Sequence, residues 1–200
     1  MVRATPLPPD ERRAALIAAT EPLLVRCGRD VSTRQIAEAA GVAEGTIFRA
    51  FGTKEALIEA CLADAFSAEH TADALVAIDP ALDLEQRLLA AVVLLQSRLR
   101  RVVALFHTLR VGPTSPAEVS DFRARQARDN EHLNAALVEL LTPYADQLRR
   151  PVPEAATIVR SVTFALSHPM LGDETLTDPQ RTVDLILHGL AAQSSAESPC

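Results

Sequence analysis

The chain has 200 residues, of which 48% are hydrophobic, 23% are charged and only 4% are aromatic. Because this share of apolar residues can fill a sizeable core, the composition excludes wholesale disorder. The scarcity of aromatic residues argues against an aromatic-rich β-sandwich and against an RNA-binding surface that stacks bases. The formal net charge of −6 argues, taken alone, against nucleic acid as a partner.

The three cysteines, Cys27, Cys61 and Cys200, form no CxxC pattern and no Cys/His spacing. This argues against a disulfide framework and against a zinc site, and it favours a reducing compartment. The first residues contain no apolar stretch typical of a signal peptide, and no run of about 18 apolar residues could span a membrane. We therefore expect a soluble, cytoplasmic protein without a bound metal or cofactor.

The first predicted helix follows a proline-rich arm, residues 1–9, which is expected to be flexible. Pro22 should bend this helix, because its ring clashes with the carbonyl group four residues earlier. Gly28 is expected to end the helix in the left-handed conformation. The apolar residues that indicate the helix recur at three- and four-residue steps: Leu16, Ala19, Leu23 and Leu24.

Two short helices joined by a tight turn are predicted in the segment STRQIAEAAGVAEGTIFRAF, residues 32–51. The start at Ser32 fits a capping box, in which Gln35 reaches back to the first residue. Ala37 is small where the helices would cross, and Gly41 suits the turn. Such a pair is either an ordinary helical hairpin or a helix-turn-helix, whose second helix enters the major groove of DNA.

The rest of the chain also shows helical periodicity, and no alternating strand pattern of useful length appears. Thr53 is expected to cap a long fourth helix that runs from Lys54 towards Ile78. The following apolar stripe should break into two helices around residues 97–101. Later segments predicted to be helical are residues 119–140, 153–168 and 177–192, separated by a loop at 112–116 and a connection at 143–153. The sequence thus predicts an all-α protein with about nine helices and a disordered tail at 193–200.

These features together resemble the TetR family of transcriptional regulators. The resemblance rests on the run IAEAAGVAEGTIFRAF followed by KEAL, and it covers about the first 60 residues. The remainder matches only in helix number, spacing and length. The resemblance implies a three-helix DNA-binding domain with its arm at residues 1–54. It also implies a helical effector-binding and dimerisation domain at residues 55–192.

The resemblance further implies which side chains contact DNA. Thr33 and Lys54, at the starts of the second and fourth helices, would contact phosphates, and Arg34 would lie near a base or a phosphate. In the third helix, Glu44 and Gly45 would lie near base edges, whereas Thr46 and Phe48 would contact phosphates. The implied contacts are Thr33, Arg34, Glu44, Gly45, Thr46, Phe48, Arg49 and Lys54, which is the only lysine of the chain.

The sequence departs from the family pattern within the third helix. Phe48 stands where the family usually has Tyr, so a phenolic hydrogen bond to phosphate is missing. Ala43 replaces the usual Ser or Thr cap, which should cost about 1 kcal/mol of local stability. Glu44 brings a negative charge close to phosphates, and Ala50 cannot form a hydrogen bond. These changes predict weaker non-specific affinity for DNA.

In the second domain, the resemblance implies an effector cavity and a dimer. Phe66 and His70 are expected on one face of the fourth helix. The full set of predicted effector contacts is Phe66, His70, Phe106, His107, Arg110, Phe122, Gln126 and Asn130. The last two helices, Pro153 to His168 and Thr177 to Ala192, are apolar on more than one face, which predicts a homodimer through them. Gly189 within the final helix would permit close helix approach.

The charge is unevenly distributed along the chain. Residues 1–54 carry 8 basic and 6 acidic residues, whereas residues 55–200 carry 12 and 20. Net charges of +2 and −8 indicate a mildly basic N-terminal domain, the head, followed by an acidic remainder of the chain, the body.

The sequence therefore predicts a regulator, most simply a repressor, that binds a palindromic double-stranded DNA operator as a dimer and is released by a small molecule. The alternative is a helical ligand-binding or interaction dimer with a degenerate helix-turn-helix. An enzyme is not expected, since no catalytic motif is present.

Overall fold

The computed structural model describes residues 8–109, 115–169 and 177–189. Within these ranges the protein is all-α and contains no strand, which confirms the predicted fold class of an N-terminal helix-turn-helix and a helical C-terminal part. The α-helices are α1 (Pro9–Cys27), α2 (Thr33–Ala40), α3 (Glu44–Phe51), α4 (Lys54–Phe66), α5 (Glu69–Val76), α6 (Leu84–Leu109), α7 (Pro116–Leu141), α8 (Val152–Ser167) and α9 (Pro179–His188). Short 3-10 segments occur at Gly28–Asp30 and Thr142–Gln147. No helix in the described ranges is long and apolar enough to cross a membrane.

The chain divides into two compact units, each with its own core. The first consists of Met1–Ser67 and Arg101–Val119, and the second of Ala68–Arg100 and Ser120–Cys200. Helix α6 therefore contributes its last residues to the first unit and its earlier residues to the second. The predicted arm, apart from its last two residues, and the predicted tail lie outside the described ranges.

The core of the first unit holds α1, α2, α3 and α4 together. Its largest fully buried side chains are Leu16, Leu24, Ile36, Ile47, Leu57 and Ile58. The end of α6 joins this core through Leu105, and polar contacts fix it to α1. The Thr108 hydroxyl donates to the Val25 carbonyl at 3.3 Å, and Arg101 lies 3.4 Å from Glu21 in an ion pair.

The core of the second unit encloses a buried cation. Arg87 is 5% exposed, and its guanidinium donates to the carbonyl groups of Leu140 and Ile78, each at 3.2 Å. The same guanidinium lies 5.7 Å from the ring centroid of Tyr144. Leu140 lies in the last turn of α7, where the helix dipole favours positive charge, and Ile78 lies in the segment that follows α5. Arg87 therefore connects two chain segments through their carbonyl groups.

The predicted long fourth helix is wrong, because the structure has two helices there. Helix α4 ends at Phe66, Ser67 is extended with φ −63° and ψ 137°, and α5 begins at Glu69. The physical reason is that the chain changes core at this point: Ala65 is buried in the first unit and Ala68 in the second. Phe66 and its predicted partner four residues later therefore do not share one helix face.

The predicted break at residues 97–101 is also wrong, since α6 runs without interruption to Leu109. The polar residues that suggested a break bind distant parts of the chain instead. Gln96 donates to the Thr177 carbonyl at 3.0 Å, and Arg98 lies 3.3 Å from Asp129. These side chains therefore lie within an uninterrupted helix and bind other segments of the second unit from it.

Two glycines adopt conformations that differ from the prediction. Gly28 has a positive φ of 61°, but its ψ of −146° is not left-handed helical, and the chain continues into a 3-10 turn. Gly189 lies beyond α9, which ends at His188, and has φ 68° with open space around a built Cβ. It therefore ends the helix, whereas the prediction placed it within the helix. Helix α1 continues through Pro22.

Candidate nucleic-acid interface

Local hydrogen bonds define where α2 begins and ends. The Ser32 hydroxyl accepts from the Gln35 amide at 3.2 Å, and the Gln35 side chain accepts from the Ser32 amide at 2.9 Å, which confirms the predicted capping box. At the other end, Gly41 is left-handed with φ 65° and ψ 32°, as predicted. The Val42 amide donates to the Ala37 carbonyl at 3.0 Å and closes the turn. The two helices are thus joined in a fixed geometry.

Helix α3 has one buried face and one exposed face. Ile47 is fully buried against the core that also holds Ile36 and Ala37. On the opposite side Phe48 is 48% exposed, and a Cβ built on Gly45 meets no atom within 4 Å. The first residue before the helix, Ala43, supplies no side-chain cap, in agreement with the sequence. The exposed face is therefore accessible to a large partner and could enter the major groove of DNA.

Several predicted DNA contacts are already hydrogen-bonded within the protein. The Thr33 hydroxyl donates to a carboxylate oxygen of Glu44, which joins the first residues of α2 and α3. Arg34 forms a 3.0 Å ion pair with Glu38, and both side chains are mostly exposed. Arg49 donates to the Gly45 carbonyl at 3.3 Å. An exposed ion pair such as that between Arg34 and Glu38 is weak, so Arg34 can exchange partners at little cost.

Lys54 has a structural role that its sequence position did not indicate. Its ammonium group donates to the carbonyl of Arg29 at 3.0 Å and to that of Val31 at 3.2 Å. It therefore connects the start of α4, where Thr53 caps the Ala56 amide at 3.0 Å, to the segment before α2. Since an ammonium has three N–H donors, two carbonyl contacts leave one for another acceptor.

One residue of this surface was missed by the sequence analysis. The guanidinium of Arg13 lies 4.1 Å from the ring centroid of Phe51 and donates to the carbonyl of Ala50. It thus adds an exposed positive charge at the C-terminal end of α3, supplied by a helix from which no DNA contact was predicted. The one signal in the sequence was the pair of arginines near the start of α1. Helical periodicity within α1 does not show that one of them contacts α3.

The predicted effector contacts are distributed over both units. In the first unit, the rings of Phe66 and Phe106 lie 4.8 Å apart, and His107 is exposed. In the second unit, His70 and Gln126 are exposed, Phe122 is half-buried, and Asn130 accepts from Arg160 at 3.0 Å. Arg110 lies outside the described residues.

A groove of about 760 Å³ lies within the second unit. Its apolar walls include Leu88, Leu141 and Val159, and its rim includes Arg149 and His188. None of the predicted effector contacts that the structure describes lines this groove. In the described part of the chain, no three His, Cys, Asp or Glu residues are grouped so that they could hold a metal ion.

Comparison with known proteins places these features in context. Residues 16–61, which include α2 and α3, match the family model of bacterial regulatory proteins of the tetR family. A TetR transcriptional regulator, SCO0520 from Streptomyces coelicolor, is 22% identical with a TM-score of 0.60, and the match covers 91% of this chain and 99% of that one. The fatty acid degradation regulator FadR from Bacillus halodurans is 19% identical with a TM-score of 0.56, covering 93% and 98%. A TetR/AcrR-family regulator from Thermobifida fusca is 19% identical with a TM-score of 0.52, covering 91% and 100%. At these identities the structures establish a common fold.

Proposed function

We propose that this chain, whose residues 16–61 match the family model of bacterial regulatory proteins of the tetR family, is a ligand-responsive transcriptional repressor of that family. It binds a palindromic operator as a homodimer in the cytoplasm, and a small molecule releases it; it catalyses no reaction. The observation that carries the proposal is the helix-turn-helix geometry of the matched segment. This geometry consists of the capped α2, the left-handed Gly41 and the exposed face of α3.

The proposed DNA contacts remain those implied by the sequence. Thr33 and Lys54 approach phosphates from the starts of α2 and α4, and Arg34 approaches a base or a phosphate. On α3, Glu44 and Gly45 approach base edges, whereas Thr46 and Phe48 approach phosphates. The contacts supplied by α3 are Glu44, Gly45, Thr46, Phe48 and Arg49. Because the DNA-binding domain has a small net charge, each copy neutralises few phosphates. Two domains must therefore bind together to give sufficient affinity for the operator.

The proposed dimer uses the last two helices, within residues 153–168 and 177–192. Ile158 and Phe164 of α8 are 36% and 44% exposed, although Ala156 and Val159 of the same helix are buried. An apolar helix face without a cover favours an interface. Phe164→Asp should shift the protein from dimer to monomer in sedimentation velocity. Val76→Asp, which alters another exposed apolar residue, on α5, is the matched control and should leave the dimer intact.

The proposed effector site lies in the body of the protein, residues 55–192. Asn130 and Asn134 of α7 accept hydrogen bonds from Arg160 of α8 at 3.0 and 2.8 Å. Burial lowers the pKa of Arg160, and neither of these amide partners neutralises its charge. A partly desolvated cation held only by neutral groups supports recognition of a polar ligand group at this place.

The experiment that tests the function is binding to DNA upstream of the protein's own gene at several salt concentrations. A protected palindrome, with affinity that falls as salt rises, supports the repressor. One observation favours the alternative of a degenerate helix-turn-helix: Lys54, Arg34 and Glu44 are all engaged within the chain. Failure to protect any fragment at low salt, with the dimer intact, would favour that alternative.

A further inference from the structure

The contact between Thr33 and Glu44 connects the two helices of the candidate DNA-binding surface. The Thr33 hydroxyl donates to one carboxylate oxygen of Glu44, and the Glu44 side chain is exposed at the start of α3. No described basic side chain forms an ion pair with Glu44. Since the bond crosses from α2 to α3, it restricts the rotamers of a side chain that would otherwise be mobile. Glu44 is therefore a pre-oriented carboxylate on the exposed face.

The Glu44 carboxylate selects its partners by hydrogen-bonding capacity. An ionised glutamate accepts and cannot donate, and the single proton from Thr33 occupies one of about four acceptor positions. No other described group donates a hydrogen bond to this carboxylate, so the remaining positions are available to an outside donor. Phosphate oxygens are negatively charged acceptors and are excluded as partners. The partner must therefore be a donor on a base edge or water.

The major groove offers two amino donors, on cytosine and on adenine. On adenine the amino group lies beside the N7 acceptor, which repels a carboxylate but matches the amide of Gln or Asn. On cytosine the amino group has no such neighbour on the same base. The adjacent Gly45 has no side chain, and a Cβ built there meets nothing within 4 Å, so nothing blocks the approach of α3 to a base edge.

We propose that Glu44, positioned by Thr33, is a specificity-determining residue that selects cytosine at one position in each operator half-site. This inference rests on the proposed function and names the base that one residue of α3 reads. Glu44 contacts the base amino group, and Thr33 acts through Glu44 as a positioning residue. The hydroxyl proton of Thr33 then serves Glu44 and not the phosphate contact that the resemblance implied. The negative charge, which weakens non-specific affinity, is then the source of selectivity at that position.

The test is selection from a randomised double-stranded DNA pool with the full-length protein, followed by affinity measurements on single duplexes. The unaltered protein should enrich a palindrome with cytosine at one fixed position per half-site. Glu44→Gln should move the preference at that position to adenine, with a change in the cytosine-to-adenine ratio of about 10-fold or more. Glu59→Gln, which removes the charge of an exposed glutamate on α4, is the matched control and should leave the preference unchanged.

The role of Thr33 is tested by discrimination between bases. Thr33→Val, which keeps the shape and removes the donor, should reduce the preference for cytosine, whereas Thr33→Ser should retain it. Enrichment of a palindrome whose base preferences are the same for the unaltered protein and for Glu44→Gln would overturn this inference and leave the proposed function standing. Enrichment of no sequence by the unaltered protein would overturn the proposed function itself.

Discussion

The ammonium group of Lys54 lies 3.0 Å from the carbonyl oxygen of Arg29, although 25 positions separate the two residues. A second contact, to Val31 at 3.2 Å, completes a connection between the start of α4 and the segment that precedes α2. This side chain therefore adds a polar connection between the segment before α2 and the start of α4 to the apolar core that holds these helices. In a helix-turn-helix this geometry determines how the recognition helix is presented to DNA.

Replacing Lys54 should affect stability and DNA binding together. Lys54→Met leaves two carbonyls without their donor, and we expect the free energy of unfolding in urea to fall by about 1–2 kcal/mol. If the third N–H binds phosphate, the slope of log affinity against log salt should also decrease by about one. Arg29→Met removes an equal charge but keeps the backbone carbonyl, and it should be as stable as the unaltered protein. Unchanged stability of Lys54→Met would contradict the structural role.

Ala43 offers a stabilising substitution at the start of α3. Its φ of −72° and ψ of 142° already suit an N-cap residue, but alanine has no acceptor for the free amides of the first turn. Ala43→Ser should raise the free energy of unfolding by about 1 kcal/mol. The measurement is urea denaturation followed by circular dichroism, with Ala50→Ser as a control inside the same helix. An equal increase in the free energy of unfolding of Ala43→Ser and Ala50→Ser would show that the stabilisation does not come from capping.

Glu21 should make stability depend on pH. Burial raises the pKa of Glu21 above its ordinary value of 4.5, with Arg101 opposing the shift and Asp64 adding to it. The folded state then binds this proton more tightly than the unfolded state. Its contribution to stability is therefore full below pH 4.5 and is lost as the pH rises through the folded pKa.

Glu21→Gln, which cannot ionise, should remove that loss. Relative to the unaltered protein, its free energy of unfolding should increase as the pH rises above 4.5 and stay constant below it. Denaturation at a series of pH values on both sides of 4.5 measures this difference. Glu11→Gln, on the exposed side of α1, should show no such trend. A difference that declines with rising pH would mean that the ion pair with Arg101 outweighs burial.

Arg87 should contribute to the stability of the second unit. Arg87→Met removes the donors of the Leu140 and Ile78 carbonyls, and we expect a loss of about 2 kcal/mol in the free energy of unfolding. Arg87→Lys should be intermediate, because one ammonium cannot span both carbonyls as the planar guanidinium does. Arg150→Met, at a largely exposed arginine, is the control. Full stability of Arg87→Met would show that apolar packing replaces the hydrogen bonds.

Features that depend on neighbours in the chain were predictable from the sequence. The capping box at Ser32, the left-handed Gly41 and the missing cap at Ala43 involve residues no more than four positions apart. Asp178, which accepts from the Arg181 amide at 3.0 Å, is a further case, since the predicted start of the last helix contains it. In each, residue type and spacing decide the backbone conformation, because the hydrogen-bonding partner lies within one turn.

Features that depend on distant partners were decided only by the tertiary structure. Helix α6 continues past Gln96 and Arg98, whose hydrogen-bonding partners lie 81 and 31 positions away. The helix break at Ser67 occurs because the chain passes from one core to another. The sequence by itself determined the all-helical fold and the helix-turn-helix. Only the tertiary structure decided which polar groups are engaged, because a hydrogen bond between distant segments forms only after the cores have packed and leaves no periodic pattern in the chain.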